Sequence, residues 1–341
     1  MHLKSLILIA FLALFNYANC ACNTAWGQCG GDTYRGEKCC VSGYYCKYYN
    51  QWFSQCIPGN TTTTSRVRTN ESTTQVVTKT TTVVNPTTAA PQPTNNTPKP
   101  NTLFIAGDST GDSTTANGGK TVGWGKFLSN YVTCNVQNHA KSGRSARTFW
   151  REGRWTTLMN GVQAGDYVFI QFGHNDGGGP YHEKERGCVD GTGNESVTVT
   201  LKSGEKEVVH TFPWYIRQMA NQVLAKKAHP ILLTQTPRKI FTNGKIETPG
   251  RFHDYMIMVA KELNIPCINM FKYIARQYES LGEAYLNNNG WFPVDYLHPS
   301  PTAADFDAKL LVNAFSKCQP ISELIAVLND KGKAVNYDCR Q

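Results

Sequence analysis

Long apolar runs are scarce in this 341-residue chain: one occurs, at the N-terminus. A polytopic membrane protein is thereby excluded, since each span needs roughly 20 apolar residues. Charge is sparse too. Charged residues make up 17%, and the net charge is +9, with Lys and Arg scattered apart from one cluster. Nothing in that pattern resembles a nucleic-acid module, although a basic chain suits acidic polymers. Apolar residues still reach 40%, which excludes wholesale disorder and gives enough chain for two domains.

Cysteine is abundant only at the start, where seven of the twelve fall within the first 56 residues. Such density means disulfides or a metal, and the leader decides between them. Lys4, an apolar stretch from Leu6 to Phe15, and the small residues Ala18 and Cys20 before Ala21 form a secretory signal pattern over residues 1–20. A secreted, extracellular chain meets an oxidising environment, so disulfides are favoured.

Residues 21–58 are too few to hold together by a core alone. They keep six cysteines, an even set whose pairing the spacing leaves open. They also carry Trp26, Tyr34, Tyr44, Tyr45, Tyr48, Tyr49, Trp52 and Phe53. A mini-domain cannot bury so many rings, and exposed rings suit flat sugar faces. Trp26-Gly-Gln-Cys-Gly-Gly31, Cys39-Cys40 and Trp52-Phe53-Ser54-Gln55-Cys56 resemble the fungal-type cellulose-binding module. The resemblance implies a small disulfide-rich β module in which Trp26, Trp52 and Phe53 stack on cellulose and Asn50 and Gln55 hydrogen-bond it. It also implies the pairs Cys22–Cys39, Cys29–Cys46 and Cys40–Cys56. Phe53 departs from the tyrosine usual at its position.

Residues 59–101 are dominated by threonine and proline, with almost no large apolar side chains. Such a segment buries too little surface to offset chain entropy. It reads as a disordered, extended, O-glycosylated stalk, with sequons at Asn60, Asn70 and Asn95. A tether of this kind raises the local concentration of whatever follows it.

From residue 102 to 341 short apolar runs alternate with helical spacing. Strands are expected at Leu103–Ala106, Tyr167–Phe172, Ile231–Thr234 and within Ile265–Asn269; helices are expected over 214–227, 252–263 and 303–315. That alternation predicts an α/β domain with a parallel sheet covered on both faces. Sites in such folds form at strand C-terminal ends, where Gly107-Asp108-Ser109-Thr110 and Gly173-His174-Asn175-Asp176 both fall.

Serine needs a base to become a nucleophile. Asp295-Tyr-Leu-His298 supplies an imidazole with a carboxylate three residues earlier, which a helical turn would bring together. An oxyanion hole could use the N–H groups of Ser109 and Gly143 and the Asn175 side chain, each such donor contributing a factor of about 10² to 10³. Taken singly, each piece has a bland reading as a turn or cap. Their order resembles the SGNH hydrolase superfamily, a three-layer, flavodoxin-like fold.

The segments Gly143-Arg-Ser-Ala-Arg-Thr148, Arg151-Glu-Gly-Arg154, Thr211-Phe-Pro213, Gln235-Thr-Pro237 and Asp295-Tyr-Leu-His298-Pro-Ser narrow the resemblance to rhamnogalacturonan acetylesterases. It implies Ser109 as nucleophile, His298 as base and acid, Asp295 as orienter, and Ser109, Gly143 and Asn175 as oxyanion hole. It implies removal of acetyl groups from wall polysaccharide, with neither metal nor organic cofactor, by a monomer. It also implies a Cys318–Cys339 disulfide, while Cys188 lacks its expected partner, leaving Cys134, Cys188 and Cys267 without assigned pairs. Asp108 is expected to hold the nucleophile turn. His174 is either a substrate contact or a packing residue. Arg144, Arg147, Arg151 and Arg154 fall on one face if the stretch is helical, so Arg147 is a candidate for binding substrate carboxylates. The competing readings are an acetylxylan or broad-range wall esterase, a lipase of the same superfamily, and a non-catalytic cellulose-binding wall protein.

Overall fold

The computed structural model describes residues 22–23, 28–30, 37–50, 53–58 and 101–339. The chain divides into two units, Met1–Arg68 and Thr69–Gln341. The leader, most of the Thr/Pro-rich segment, and Trp26 and Trp52 lie outside the described residues.

In the first unit β1 (Gln28–Gly30), β2 (Tyr44–Asn50) and β3 (Phe53–Pro58) form an antiparallel sheet with β3 in the middle. Disulfides join Cys22 to Cys39, Cys29 to Cys46 and Cys40 to Cys56. Cys29, Ser54 and Cys56 are buried, so cross-links stand in for an apolar core. Asn50 pairs with Phe53 at the turn between β2 and β3, and Gln55 pairs with Lys47.

The second unit opens with β4 (Thr102–Gly107), β5 (Asn135–Asn138), α1 (Ala146–Arg151), α2 (Arg154–Gly161) and β6 (Tyr167–Gln171). Next come an antiparallel hairpin of β7 (Ser196–Thr200) and β8 (Lys206–His210), then α3 (Phe212–Ala225) and β9 (His229–Leu233). A two-residue ribbon follows, β10 (Phe241–Thr242) with β11 (Lys245–Ile246), then α4 (Arg251–Leu263) and β12 (Cys267–Ile268). The chain ends with α5 (Met270–Leu281), α6 (Glu283–Asn288), α7 (Pro301–Asn313), α8 (Ser322–Ala326) and α9 (Asp330–Ala334). A Cys318–Cys339 disulfide clips the tail, and Cys134, Cys188 and Cys267 are free thiols.

The central sheet has the order β5-β4-β6-β9-β12 and is parallel throughout. Leu103, Ile105, Phe169, Ile231 and Leu233 face α5 and α7, while Phe104, Ala106, Val168, Ile170 and Leu232 pack toward α1 to α4. Both faces are buried, which is why β4 and β6 read as unbroken apolar runs. After β4 the chain goes to one side for β5 and to the other for β6. The crevice at this switch point is where such sheets bind ligands.

Helix starts follow local chemistry. Thr211 caps α3, with Pro213 in the first turn, and Ser300 caps α7 ahead of Pro301. The expected helix over 303–315 ends at Asn313 and widens into a π-helical turn, Ala314–Cys318. One expectation fails. The four arginines do not share a helix: α1 stops at Arg151, Gly153 takes a left-handed φ of +68°, and Arg154 begins a new helix. Arg144 precedes the α1 cap at Ser145.

Candidate active site

Ser109 is carried by a turn at the end of β4. The Asp108 carboxylate Oδ1 accepts from the Thr110 N–H at 2.9 Å and its hydroxyl at 2.8 Å. The N–H groups of Gly111 and Asp112 both return to the Asp108 carbonyl. Asp108 is fully buried, so it holds the turn and leaves Ser109 at its tip. Beneath lies Gln171, also fully buried. Its Oε1 accepts from Trp124 Nε1 at 2.9 Å and lies 3.2 Å from Thr110 Oγ1, and its Nε2 donates to the Thr234 carbonyl at 3.1 Å. One side chain thus ties the Ser109 turn to the segments that carry Trp124 and Thr234. Gly107 keeps this approach open, since a Cβ would lie a tight 3.1 Å from the Gln171 carbonyl oxygen.

His298 approaches from the far end of the sequence. Its Nε2 is 2.9 Å from Ser109 Oγ, and its Nδ1 is 2.6 Å from Asp295 Oδ2. The Asp-x-x-His spacing does not work through a helix, since residues 291–298 form a run of bends. Instead Asp295 Oδ1 accepts the backbone N–H groups of Leu297 and His298, each at 2.8 Å, so the carboxylate folds its own loop around the ring. The loop is pinned outside as well. Lys239 N–H donates to the Tyr296 carbonyl, Val122 N–H to that of Pro299, and Ser300 N–H to that of Trp291. Partial burial pushes the Asp295 pKa up, but the bonds from His298 and Leu297 outweigh it and leave it below the ordinary value. Asp295 therefore stays ionised, holds Nδ1–H, and turns the Nε2 lone pair toward Ser109.

Gly143 has a φ of +79°, which glycine adopts without strain. Its loop is joined to the Ser109 loop by Asp112, whose Oδ2 accepts the N–H and hydroxyl of Ser142, both at 2.8 Å. Asn175 Nδ2 donates to the Arg144 carbonyl at 3.0 Å, which leaves its second N–H for another acceptor. Among the described residues, no acceptor within the fold takes the N–H of Ser109 or Gly143. Asp176 locks this corner: its two oxygens accept the N–H of Ala146 at 2.8 Å and of Gly173 at 2.9 Å. Burial pushes its pKa up to about 8, against the pull of those bonds.

His174 is half-buried, with Nε2 3.3 Å from Thr236 Oγ1. Burial lowers its pKa, the charges of Arg238 and His298 adding to the effect and Asp108 opposing it, so the ring is neutral at pH 7. Arg147 is not a substrate contact. It is wholly buried: Nε and Nη2 grip Glu207, with the Nη2 contact at 2.5 Å, and Nη1 donates to the carbonyls of Pro180 at 3.0 Å and Gly187 at 2.8 Å. No nitrogen is left for a ligand. Arg151 shares Glu207, while Arg144 and Arg154 share Glu152. Sequence reasoning gave no role to Gln171 or Asp112, because an isolated polar residue near a strand end carries no pattern of its own, and it quoted Thr236 only within a family motif.

Comparison with known proteins agrees with this geometry. Residues 25–53 match the fungal cellulose binding domain family, and residues 107–305 match the GDSL-like lipase/acylhydrolase family. A rhamnogalacturonan acetylesterase of Emericella nidulans is 34% identical over 238 residues, covering 70% of this chain and 91% of the relative. The N-terminal segment is 60% identical over 48 residues to the 1,4-beta-D-glucan cellobiohydrolase CEL6A of Pyricularia oryzae, covering 14% of this chain and 10% of that one. The solved structure of the Bacillus subtilis protein YXIM is similar with a TM-score of 0.51 and 26% identity. That match covers 66% of this chain, which spans 58% of the length of that one. With a strand-turn serine, a late Asp-x-x-His loop and a family match across most of the second unit, this chain belongs to the GDSL-like lipase/acylhydrolase family.

Proposed function

We propose that this protein is a secreted carbohydrate acetylesterase, held on cellulose by its first unit and deacetylating wall polysaccharide with its second. The observation that carries the reading is the relay from Asp295 to His298 to Ser109, with links of 2.6 and 2.9 Å. His298 Nε2 takes the Ser109 proton as Oγ attacks the acetyl carbonyl carbon. The carbonyl oxygen becomes an oxyanion held by the N–H of Ser109, the N–H of Gly143 and an Asn175 side-chain N–H. The tetrahedral intermediate collapses, the sugar oxygen leaves with the proton from His298, and an acetyl-serine remains. Water, deprotonated by His298, then releases acetate and restores the serine. Asp295 keeps its charge throughout.

Acetylated rhamnogalacturonan is the favoured substrate, supported by the similarity to the Emericella nidulans enzyme. Trp26, Trp52, Phe53, Asn50 and Gln55 are proposed as the cellulose contacts, on the strength of the family match over residues 25–53. Acetate release from acetylated rhamnogalacturonan and from acetylated xylan, measured for wild type and Ser109→Ala, tests the reading. Serine-dependent release from the pectic polymer supports it. Release mainly from xylan overturns the substrate, and release unchanged in the variant overturns the mechanism.

A further inference from the structure

We infer that Arg186 is a specificity-determining residue that binds the carboxylate of an acidic sugar beside the acetylated one. The inference rests on the acetylesterase reading above and deepens it. Arg186 Nη1 donates to the Gly143 carbonyl at 3.1 Å, so the guanidinium lies against the loop that offers the proposed oxyanion N–H. A Cβ on Gly143 would sit 3.6 Å from that same nitrogen. The side chain is half-buried. Arg144, Arg147, Arg151, Arg154, Arg217, Arg238 and Arg251 each hold a carboxylate. Among the described residues Arg186 makes no ion pair, and the carboxylate next to it in sequence, Glu185, is engaged by the Lys202 N–H. With one nitrogen spent on Gly143, Nε and Nη2 remain for an incoming anion. Their fork fits a carboxylate in two-point fashion.

The loop that carries Arg186 is built to hold still. Arg147 donates to the carbonyls of Pro180 and Gly187, and Arg151 to that of Glu185. Both arginines are tied together by Glu207 from β8. Glu185 takes a φ of +51°, uncommon for a side-chain-bearing residue, directly before Arg186. Such a conformation persists where the surroundings over-determine it. A Cβ at Gly187 would come within 2.1 Å of the Gly179 carbonyl oxygen, so the loop closes on itself at that point. Buried Arg147 and partly exposed Arg151 are thus struts for the one arginine of this cluster that faces no acid.

The test compares wild type, Arg186→Gln and Arg186→Lys on acetylated rhamnogalacturonan, which carries galacturonate, and on acetylated glucomannan, a neutral polymer. Loosening Gly143 lowers kcat by a similar small factor on both polymers. The carboxylate contact predicts a further rise in KM of about 10- to 100-fold for Arg186→Gln on the acidic polymer alone, with partial recovery in Arg186→Lys, which keeps the charge but loses the fork. An equal KM change on both polymers overturns the inference and leaves Arg186 as a positioning residue for Gly143. Wild type that does not act on the acidic polymer overturns the parent reading instead, and is seen before any variant is made.

Discussion

Replacing Glu207 by Gln tests how the second unit is held together. Glu207 is 12% exposed at its side chain and Arg147 is 0% exposed. The change leaves a fully buried guanidinium with no counter-charge. Breaking a buried pair from one side costs about 3–5 kcal/mol. Two features pull toward the lower end. Arg147 keeps the Pro180 and Gly187 carbonyls, and Arg151, 25% exposed, can turn to water. The expected loss is about 3 kcal/mol, or roughly 6–12 °C in Tm for a domain of this size. Thermal and urea unfolding at pH 7 would measure it. Glu152→Gln is the control. It also bridges two arginines, Arg144 and Arg154, but at side-chain exposures of 29–34%, so it should cost only about 0–1 kcal/mol. Arg147→Met combined with Glu207→Leu should be less damaging than Glu207→Gln alone, because no charge is stranded. If Glu207→Gln lies within about 1 kcal/mol of wild type, or matches Glu152→Gln, the reasoning is refuted.

Two more expectations follow from the geometry. Asn175→Ala should lower kcat on acetylated polymer about 10²- to 10³-fold with little change in KM; Asn175→Asp, which replaces the donor by an acceptor of the same shape, should lose at least as much. A steady-state comparison in which KM absorbs the loss would place Asn175 in ground-state binding instead. Asp307 should make a contribution to stability that falls as pH rises, opposite in sign to that of the half-buried histidines His139, His174 and His210. Burial of Asp307 pushes its pKa up to about 8, against the Tyr278 hydroxyl that donates to it at 2.7 Å. In the unfolded chain the value is about 3.9, so the folded state holds an extra proton between those limits. That contribution is complete below about pH 4 and lost as pH climbs through about 8. Asp307→Asn keeps an acceptor for Tyr278 and removes one titration, leaving that of Asp176. Urea unfolding at pH 5 and pH 8 should show a smaller difference in the variant; an unchanged difference would mean Asp307 is ionised in the fold.

The legible part of the molecule was what repeats or runs. β4 and β6 are buried on both faces, so their apolar stretches announced them and the turns that follow. β5, Asn135-Val-Gln-Asn138, is a sheet edge with alternating partial exposure, and its polar letters gave no such signal. Ser109, Asp295 and His298 were readable because their order along the chain resembles that of a known superfamily, yet the local geometry was not. Asp295 closes the loop through backbone N–H groups rather than through helical stacking. The arginine series misled for a related reason. A spacing of three and four suggests a helix face only if nothing interrupts it, and Gly153 does. The partner that settles Arg147, Glu207, lies 60 residues away on a hairpin without a strong apolar pattern. A pairing across that distance is decided by tertiary packing, which short-range spacing does not encode.

Cys188 has a consequence for watching this protein breathe. Its thiol is 2% exposed, lies 3.8 Å from Asp176 Oδ1, and has a pKa raised well above the ordinary value, chiefly by burial. It follows Gly187, whose carbonyl Arg147 holds. In the closed state it is both unreachable and unreactive. Alkylation at Cys188 therefore requires the 180–188 segment to lift from its arginine struts. The rate of trapping reports the free energy of that opening, in the way that amide exchange reports it for backbone. The chain carries a built-in gauge of how often its candidate specificity loop comes loose.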